Sequence, residues 1–113
     1  MIKRAFKKDN AANLCDGKGT AVMEHWLVGE ELSPNFTQYC TVTLEPGASI
    51  GDHVHTGEAE VYHIISGTGD YSDNGTVEKV GPGDVMICYA GESHGVVNTG
   101  TEDLAFLTVI VTS

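Results

Sequence analysis

The sequence predicts an all-β fold, either a sandwich or a barrel, and three observations support this prediction. About nine short runs rich in β-branched and aromatic residues recur at even spacing along the chain. Turn signals separate these runs, among them the hairpin signal Asp73-Asn74-Gly75, and no helical period lasts for three turns. Since 113 residues can bury one core, we expect one domain.

The first part of the chain has little pattern. Residues 1–18 hold five of the six basic residues and several turn formers, and we interpret them as an N-terminal arm that can add an edge strand. Residues 19–113 are interpreted as a single β-barrel domain. Its first predicted strands are Thr20–Val28 and Phe36–Leu44. Further strands are predicted around His53–His55, Glu60–Ile65, Gly69–Ser72, Val77–Val80, Asp84–Tyr89, His94–Asn98 and Ala105–Val111.

The strand Phe36–Leu44 alternates clearly, which is typical of a strand with one buried face. It is expected to line the interior, but the sequence leaves its register open. Either Gln38 and Cys40 face the cavity, or Tyr39 and Thr41 do.

The distribution of charge limits the partners. The chain has a net formal charge of −10, and Lys79 is the only cation after residue 18. A nucleic-acid partner requires a row of cations, so none is expected. The same shortage favours a neutral or weakly charged small-molecule ligand. With no secretory signal, no run of about 18 apolar residues and three unpaired-looking cysteines, we expect a cytoplasmic protein and no membrane partner.

A candidate metal site follows the second predicted strand. On a strand, His53 and His55 point to the same face because side chains alternate. Both imidazoles can therefore reach one metal ion, and Glu60 can add a carboxylate from the next strand. His94 is a fourth candidate in a later patterned stretch.

The spacing of these residues resembles the two motifs of the cupins, a family of small β-barrels. The first motif, G(x)5HxH(x)3–4E(x)6G, is matched at Gly47, His53, His55, Glu60 and Gly67. The second, G(x)5PxG(x)2H(x)3N, is matched at Gly83, Gly91, His94 and Asn98, with Tyr89 in place of the proline. Because that proline shapes a turn and is not a ligand, the departure affects the loop and leaves the ligand set intact.

The resemblance implies a double-stranded β-helix, or jelly roll, with one divalent metal ion inside one end of the barrel. The implied ligands are His53, His55, Glu60 and His94, and one or two coordination positions would stay open for water or substrate. This ligand set suits Mn, Fe, Ni, Co or Zn and does not choose among them.

Neighbouring residues are assigned by strand parity. Glu58 shares the parity of Glu60, so only the motif spacing favours Glu60 as the ligand, and we interpret Glu58 as a solvated turn residue. Tyr62 and Ile64 are expected to line the cavity, as is Gln38 from the earlier strand. His63 has the opposite parity and should point away from the metal, and His25 is interpreted as a core or edge residue.

Three functions are compatible with such a site, because the fold does not determine the activity. The first is a metal-dependent enzyme acting on a small molecule, of the dioxygenase, isomerase, lyase or decarboxylase class. The second is a metal-centred module that binds or senses a sugar-like small molecule without chemistry. The third is a barrel with a purely structural metal. Apolar strands with outward faces to cover also predict a homodimer.

Overall fold

The computed structural model describes residues 1–112, which are nearly all β. The strands, numbered in chain order, are β1 (Lys7–Ala12), β2 (Thr20–His25), β3 (Phe36–Leu44), β4 (Ser49–Val54), β5 (Glu58–Ser66), β6 (Gly69–Asp73), β7 (Thr76–Val80), β8 (Val85–Cys88), β9 (Ser93–Val97) and β10 (Leu104–Thr112). Two 3-10 turns, Leu14–Asp16 and Gly29–Glu31, interrupt the chain before β3.

The strands form two antiparallel sheets. A six-stranded sheet has the order β1-β2-β3-β10-β5-β8, and a four-stranded sheet has the order β4-β9-β6-β7. From β3 onward the chain passes back and forth between the sheets, with only the β6–β7 hairpin staying within one. This arrangement is the predicted double-stranded β-helix, and β1 and β2 widen one of its sheets.

Local sequence signals account for the turns. Asp73 pairs with Thr76 across the β6–β7 hairpin, and the two residues between them, Asn74 and Gly75, have φ angles of 51° and 88°. Two successive positive φ angles match the right-handed twist of the flanking strands, which explains why the Asn-Gly signal predicts this hairpin.

Several strand ends differ from the sequence prediction. β2 ends at His25 instead of Val28, because the chain leaves the sheet toward the 3-10 turn that begins at Gly29, whose φ is 56°. β4 begins earlier than predicted, at Ser49, and ends at Val54, just before His55. A bulge interrupts its pairing with β9 between Ile50 and His53.

The structure resolves the register of β3. Cys40 and Leu44 are buried, while the side chains of opposite parity are only partly covered. Gln38 shares the parity of Cys40 and reaches the interior, so Tyr39 and Thr41 lie on the outer face. The long pairing of β3 with β10, from Leu44 opposite Leu104 onward, sets this register.

The N-terminal arm forms part of the folded domain. β1 pairs with β2 and forms one edge of the six-stranded sheet. The 3-10 turn Leu14–Asp16 then packs against β4, where Gly51 allows close approach because a Cβ there would overlap the carbonyl oxygen of Cys15. The division of the chain at residue 18 stays a prediction.

The hydrophobic core lies between the two sheets. Its largest fully buried apolar side chains are Tyr62, Phe106, Leu44, Ile64 and Leu104. Across residues 1–112, no helix is long and apolar enough to span a membrane. The cytoplasmic location stays a prediction.

Candidate metal centre

Four side chains from both sheets converge at one end of the barrel. His53 on β4 lies directly opposite His94 on β9, and His55 follows the end of β4. Glu60 approaches from β5 in the other sheet. One ligand atom of each residue lies within 4.8 Å of the others, so the four form a group that could hold a metal ion.

His94 is at the centre of this group. Its Nε2 atom is 3.1 Å from Nε2 of His53, 3.1 Å from Nε2 of His55 and 2.9 Å from Oε1 of Glu60. Glu60 Oε1 is also 2.9 Å from His55 Nε2 and 3.7 Å from His53 Nε2. The four potential ligand atoms therefore face a common point.

The Nδ1 atom of each imidazole, which lies on the side away from the other potential ligands, has its own hydrogen-bond partner. His53 Nδ1 lies 2.8 Å from the Gly51 carbonyl oxygen, and His55 Nδ1 lies 3.3 Å from the Glu58 carboxylate. Both partners only accept hydrogen bonds, so in the neutral imidazole each Nδ1 donates and each Nε2 presents a lone pair to the centre. His94 Nδ1 is 2.9 Å from the Tyr71 hydroxyl.

This pattern fits a metal ion. Imidazole lone pairs and a carboxylate oxygen that point at one another repel unless a cation or protons lie between them. Outer hydrogen bonds that fix each ring in the orientation required for coordination are typical of metal-binding histidines. The donor set of three imidazoles and one carboxylate suits a divalent transition metal.

The contact made by Glu58 corrects the interpretation from sequence. Glu58 is partly buried, with one carboxylate oxygen on His55 Nδ1 and the other 3.3 Å from the Thr37 hydroxyl, which donates to it. It is therefore an outer partner of His55 and not a solvated turn residue. The parity that it shares with Glu60 turns it inward, but its position at the start of β5 brings it to the far side of the His55 ring.

Glu60 is 4% exposed and remains ionised. Burial acts to raise the pKa of its carboxyl, but the adjacent His53 and His94 imidazoles and the hydrogen bond from Thr108 outweigh this effect and lower the pKa to about 2. The Thr108 hydroxyl donates to Glu60 Oε2 at 2.5 Å, which leaves Oε1 directed at the histidines. Glu60 therefore brings a negative charge to the site at neutral pH.

The pKa of His53 is shifted in the opposite direction. The Glu60 carboxylate, 3.7 Å from Nε2, favours the protonated form and raises the pKa of this histidine, against the opposing effect of burial. Because a histidine must lose its proton at Nε2 to coordinate, protons and a metal ion compete for His53 in mildly acidic solution.

Two tyrosines surround His94. The ring of Tyr62 stacks on the imidazole at a centroid distance of 4.7 Å, and Tyr71 meets it edge-on while bonding Nδ1. Burial raises the pKa of both hydroxyls, so both are neutral. Strand parity predicted an interior position for Tyr62, but the sequence has no signal for Tyr71, which reaches His94 only through the β6–β9 pairing.

A small cavity of about 190 Å³ lies next to the four side chains. His53, His55 and Glu60 form part of its wall, together with the predicted residues Gln38 and Tyr62. The rest of the wall is formed by Leu14, Cys15, Met23, Val42, Ile50, Thr108 and Ile110. Leu14 and Cys15, which come from the arm, had no signal in the sequence.

Other residues singled out from the sequence lie elsewhere. Ile64, expected on the cavity wall, lies one pleat further along β5 from Tyr62 and is buried in the hydrophobic core. His63 is exposed on the outer face of β5, and His25 is at the end of β2, partly buried. Lys79 is on β7, where it pairs with Asp70 at the surface.

The turn that departs from the second motif still closes. The Glu92 amide donates to the Tyr89 carbonyl at 3.0 Å, and the Tyr89 amide donates to the Glu92 carboxylate at 2.9 Å. Gly91 has a φ of 87° and its amide donates to the His55 carbonyl at 2.7 Å. The glycine and these hydrogen bonds thus shape the loop before His94 without a proline.

Comparison with known proteins agrees with the geometry. The family model for the cupin domain matches residues 40–110, which include all four converging side chains. The chain is a cupin. A Thermotoga maritima protein named "Oxalate-binding protein" is 40% identical over 103 residues, covering 91% of this chain and 85% of that protein.

Solved structures show the same cupin architecture. A Thermotoga maritima structure described as a predicted oxalate decarboxylase superposes with a TM-score of 0.95 at 37% identity, and all of both chains is covered. A Klebsiella pneumoniae protein described as having a double-stranded β-helix domain superposes with a TM-score of 0.67 at 30% identity, covering 78% of this cupin and 75% of that chain.

Proposed function

We propose that this cupin binds one divalent metal ion through His53, His55, Glu60 and His94, and that the metal binds a small dicarboxylate such as oxalate. The observation that carries the proposal is the convergence of four ligand atoms beside a cavity of about 190 Å³. A cavity of this size suits a ligand with few atoms, since pockets for drug-sized molecules start at about 300 Å³.

The spacing of the ligand atoms favours open coordination positions. Two atoms at about 2.1 Å from a metal ion lie about 3.0 Å apart at a right angle and about 3.4 Å apart at the tetrahedral angle. The Nε2 atom of His94 is 3.1 Å from both other Nε2 atoms, closer to the right-angle value. Four protein ligands spaced in this way would leave positions on a metal ion for both oxygens of a chelating ligand.

Charge is the main argument about ligand class. None of the residues that line the cavity in the described part of the chain is Lys or Arg. A divalent ion beside the Glu60 carboxylate nevertheless leaves one net positive charge, which attracts an anion. The name of the 40% identical relative supports oxalate. The preference for a neutral or weakly charged ligand, based on cation count alone, stays a competing prediction.

Binding without turnover is favoured over catalysis. Decarboxylation of oxalate requires a proton to be delivered to the carbon that becomes formate. Within residues 1–112, the cavity wall has no carboxyl or imidazole group apart from the converging ligands. Glu58 is behind His55, and the pKa of the Tyr62 hydroxyl is raised by burial. A metal-dependent enzyme is the second candidate, supported by the open positions, and a structural metal is the third.

Calorimetry on metal-loaded protein tests this function. We expect oxalate to bind the loaded wild type and not the His94→Ala variant, which lacks a ligand. Oxamide, a neutral diamide of similar size, should bind more weakly than oxalate. Tighter binding of oxamide would support the neutral-ligand prediction instead. Oxalate recovered unchanged supports the binding function, whereas formation of formate and CO2 supports the enzyme.

We also propose that the cupin is a homodimer. The outer face of the six-stranded sheet is apolar near its β8 edge, where Val85 and Ile87 are 60% and 41% exposed and Ile65 is 58% exposed. A second copy that covers this face would bury these side chains. Light scattering should give about twice the monomer mass of 12.0 kDa, and Val85→Lys should reduce it to the monomer value.

A further inference from the structure

Gln38 is a polar residue on the cavity wall that is outside the group of converging ligands. It lies on β3 opposite Ile110 of β10, and its partly buried side chain lines the cavity beside the metal-binding group. Among the other residues of the wall, the aliphatic side chains offer no hydrogen bond, and the Thr108 hydroxyl is already engaged. The remaining polar hydrogens of the wall are those of the Tyr62 hydroxyl and the Cys15 thiol, which is a weak donor. Gln38 is thus a polar group in a largely apolar wall.

Hydrogen bonds fix the orientation of the Gln38 amide. The Thr108 hydroxyl has one proton, which it donates to Glu60 Oε2 at 2.5 Å. The contact of 3.3 Å between Gln38 Nε2 and Thr108 Oγ1 must therefore be donated by Gln38. This assigns the amide nitrogen to the Thr108 side and leaves its second N–H without a partner among residues 1–112.

We propose that Gln38 is a specificity-determining residue whose second amide N–H donates a hydrogen bond to an oxygen of the carboxylate ligand bound at the metal. This inference rests on the proposed function and extends it. A neutral donor beside the metal favours a ligand with an acceptor oxygen, and it avoids the cost of burying a second cation near the site. The same side chain connects the ligand to Glu60 through Thr108.

The test compares two ligands on Mn(II)-loaded wild type and Gln38→Leu. Oxalate binding is measured by calorimetry, and fluoride binding by the relaxation of its 19F signal. Oxalate affinity should fall roughly ten- to hundredfold in Gln38→Leu, the range for a lost hydrogen bond to a charged group. Fluoride, a single atom that occupies only a metal position, should bind equally well to both proteins, and the manganese content should be unchanged.

Each of the following outcomes overturns the inference. If oxalate binds Gln38→Leu as tightly as wild type, Gln38 does not contact the ligand. A parallel loss of fluoride or manganese would mean that Gln38 acts on the metal through Thr108 and Glu60. If the loaded wild type does not bind oxalate, the proposed function itself fails and the inference with it. Should Gln38→Leu not fold, Gln38→Glu removes the amide donor at similar length, and an unchanged oxalate affinity in that variant would also contradict the proposal.

Discussion

His94→Ala should abolish metal binding. His94 Nε2 is within 3.1 Å of the ligand atoms of His53, His55 and Glu60, so its loss removes the centre of the group. The decrease in affinity should exceed the roughly 10–100-fold decrease caused by losing an outer partner of a ligand. The metal content measured after dialysis should fall from one ion per chain in the wild type to almost none in the variant.

Thermal denaturation provides a second readout. A metal that binds only the folded chain stabilises it by about 2.7 kcal/mol at a concentration of one hundred times Kd. For a domain of about 100 residues this raises the Tm by roughly 10 °C or more. Wild type should show this shift on metal addition, and His94→Ala should not. The shift is measured against each protein's own metal-free form, because His94 is 1% exposed and its removal also weakens packing.

His63→Ala is the matched control. His63 is on the same strand as Glu60 but is exposed on the opposite face. Its removal should leave both the metal content and the metal-induced Tm shift unchanged. Retention of the metal by His94→Ala, or its loss from His63→Ala, would mean that the ion binds at a different place.

The residues that could be predicted from sequence are those with local signals. His53, His55 and Glu60 lie within one stretch, so alternation along a strand and one turn are enough to bring them together. The β6–β7 hairpin follows from Asn74 and Gly75, because few residues tolerate the φ angles that the turn requires. His94 was identified only through its motif, since no local pattern shows that β9 pairs with β4.

The contacts that could not be predicted depend on long-range pairing. Gln38, Thr108 and Glu60 belong to three strands that become neighbours only when β10 inserts between β3 and β5. A shift of one residue in that register would turn Thr108 away from Glu60. Tyr71 likewise reaches His94 only through the β6–β9 pairing. Hydrophobic alternation defines the faces of a strand but does not identify its neighbours.

The part of the cavity wall that the N-terminal arm forms could not be predicted from the sequence either, for a different reason. Leu14 and Cys15 reach the wall because Asn13, Cys15 and Asp16 all adopt positive φ angles. Such angles are uncommon in residues other than glycine, so composition did not indicate this bend. Packing against Gly51 holds the turn in place, and this close approach is visible only in three dimensions.

Asn98→Ala should cause the largest loss of stability outside the candidate metal centre. The Asn98 side chain is 1% exposed and donates to the carbonyl oxygens of Leu44 and Glu102 at 2.8 Å each, while it accepts a hydrogen bond from the Gly100 amide at 2.9 Å. Alanine leaves three backbone groups without this partner, at about 1–3 kcal/mol for each one that stays buried. We expect the free energy of unfolding to fall by about 3–5 kcal/mol and the Tm by more than about 10 °C, measured by denaturation of the metal-free protein.

Two further variants make the Asn98 test specific. Asn98→Asp keeps the acceptor for Gly100 but loses both donors and directs a carboxylate at two carbonyl oxygens, so it should be at least as unstable as Asn98→Ala. Asn10→Ala, at an exposed position on β1, should change the Tm little. Asn98→Ala should still gain stability on metal addition, because Asn98 bonds backbone groups and none of the four candidate metal ligands, whereas His94→Ala should lose that gain. A stable Asn98→Ala protein would show that these hydrogen bonds are replaced by water and contribute little to the fold.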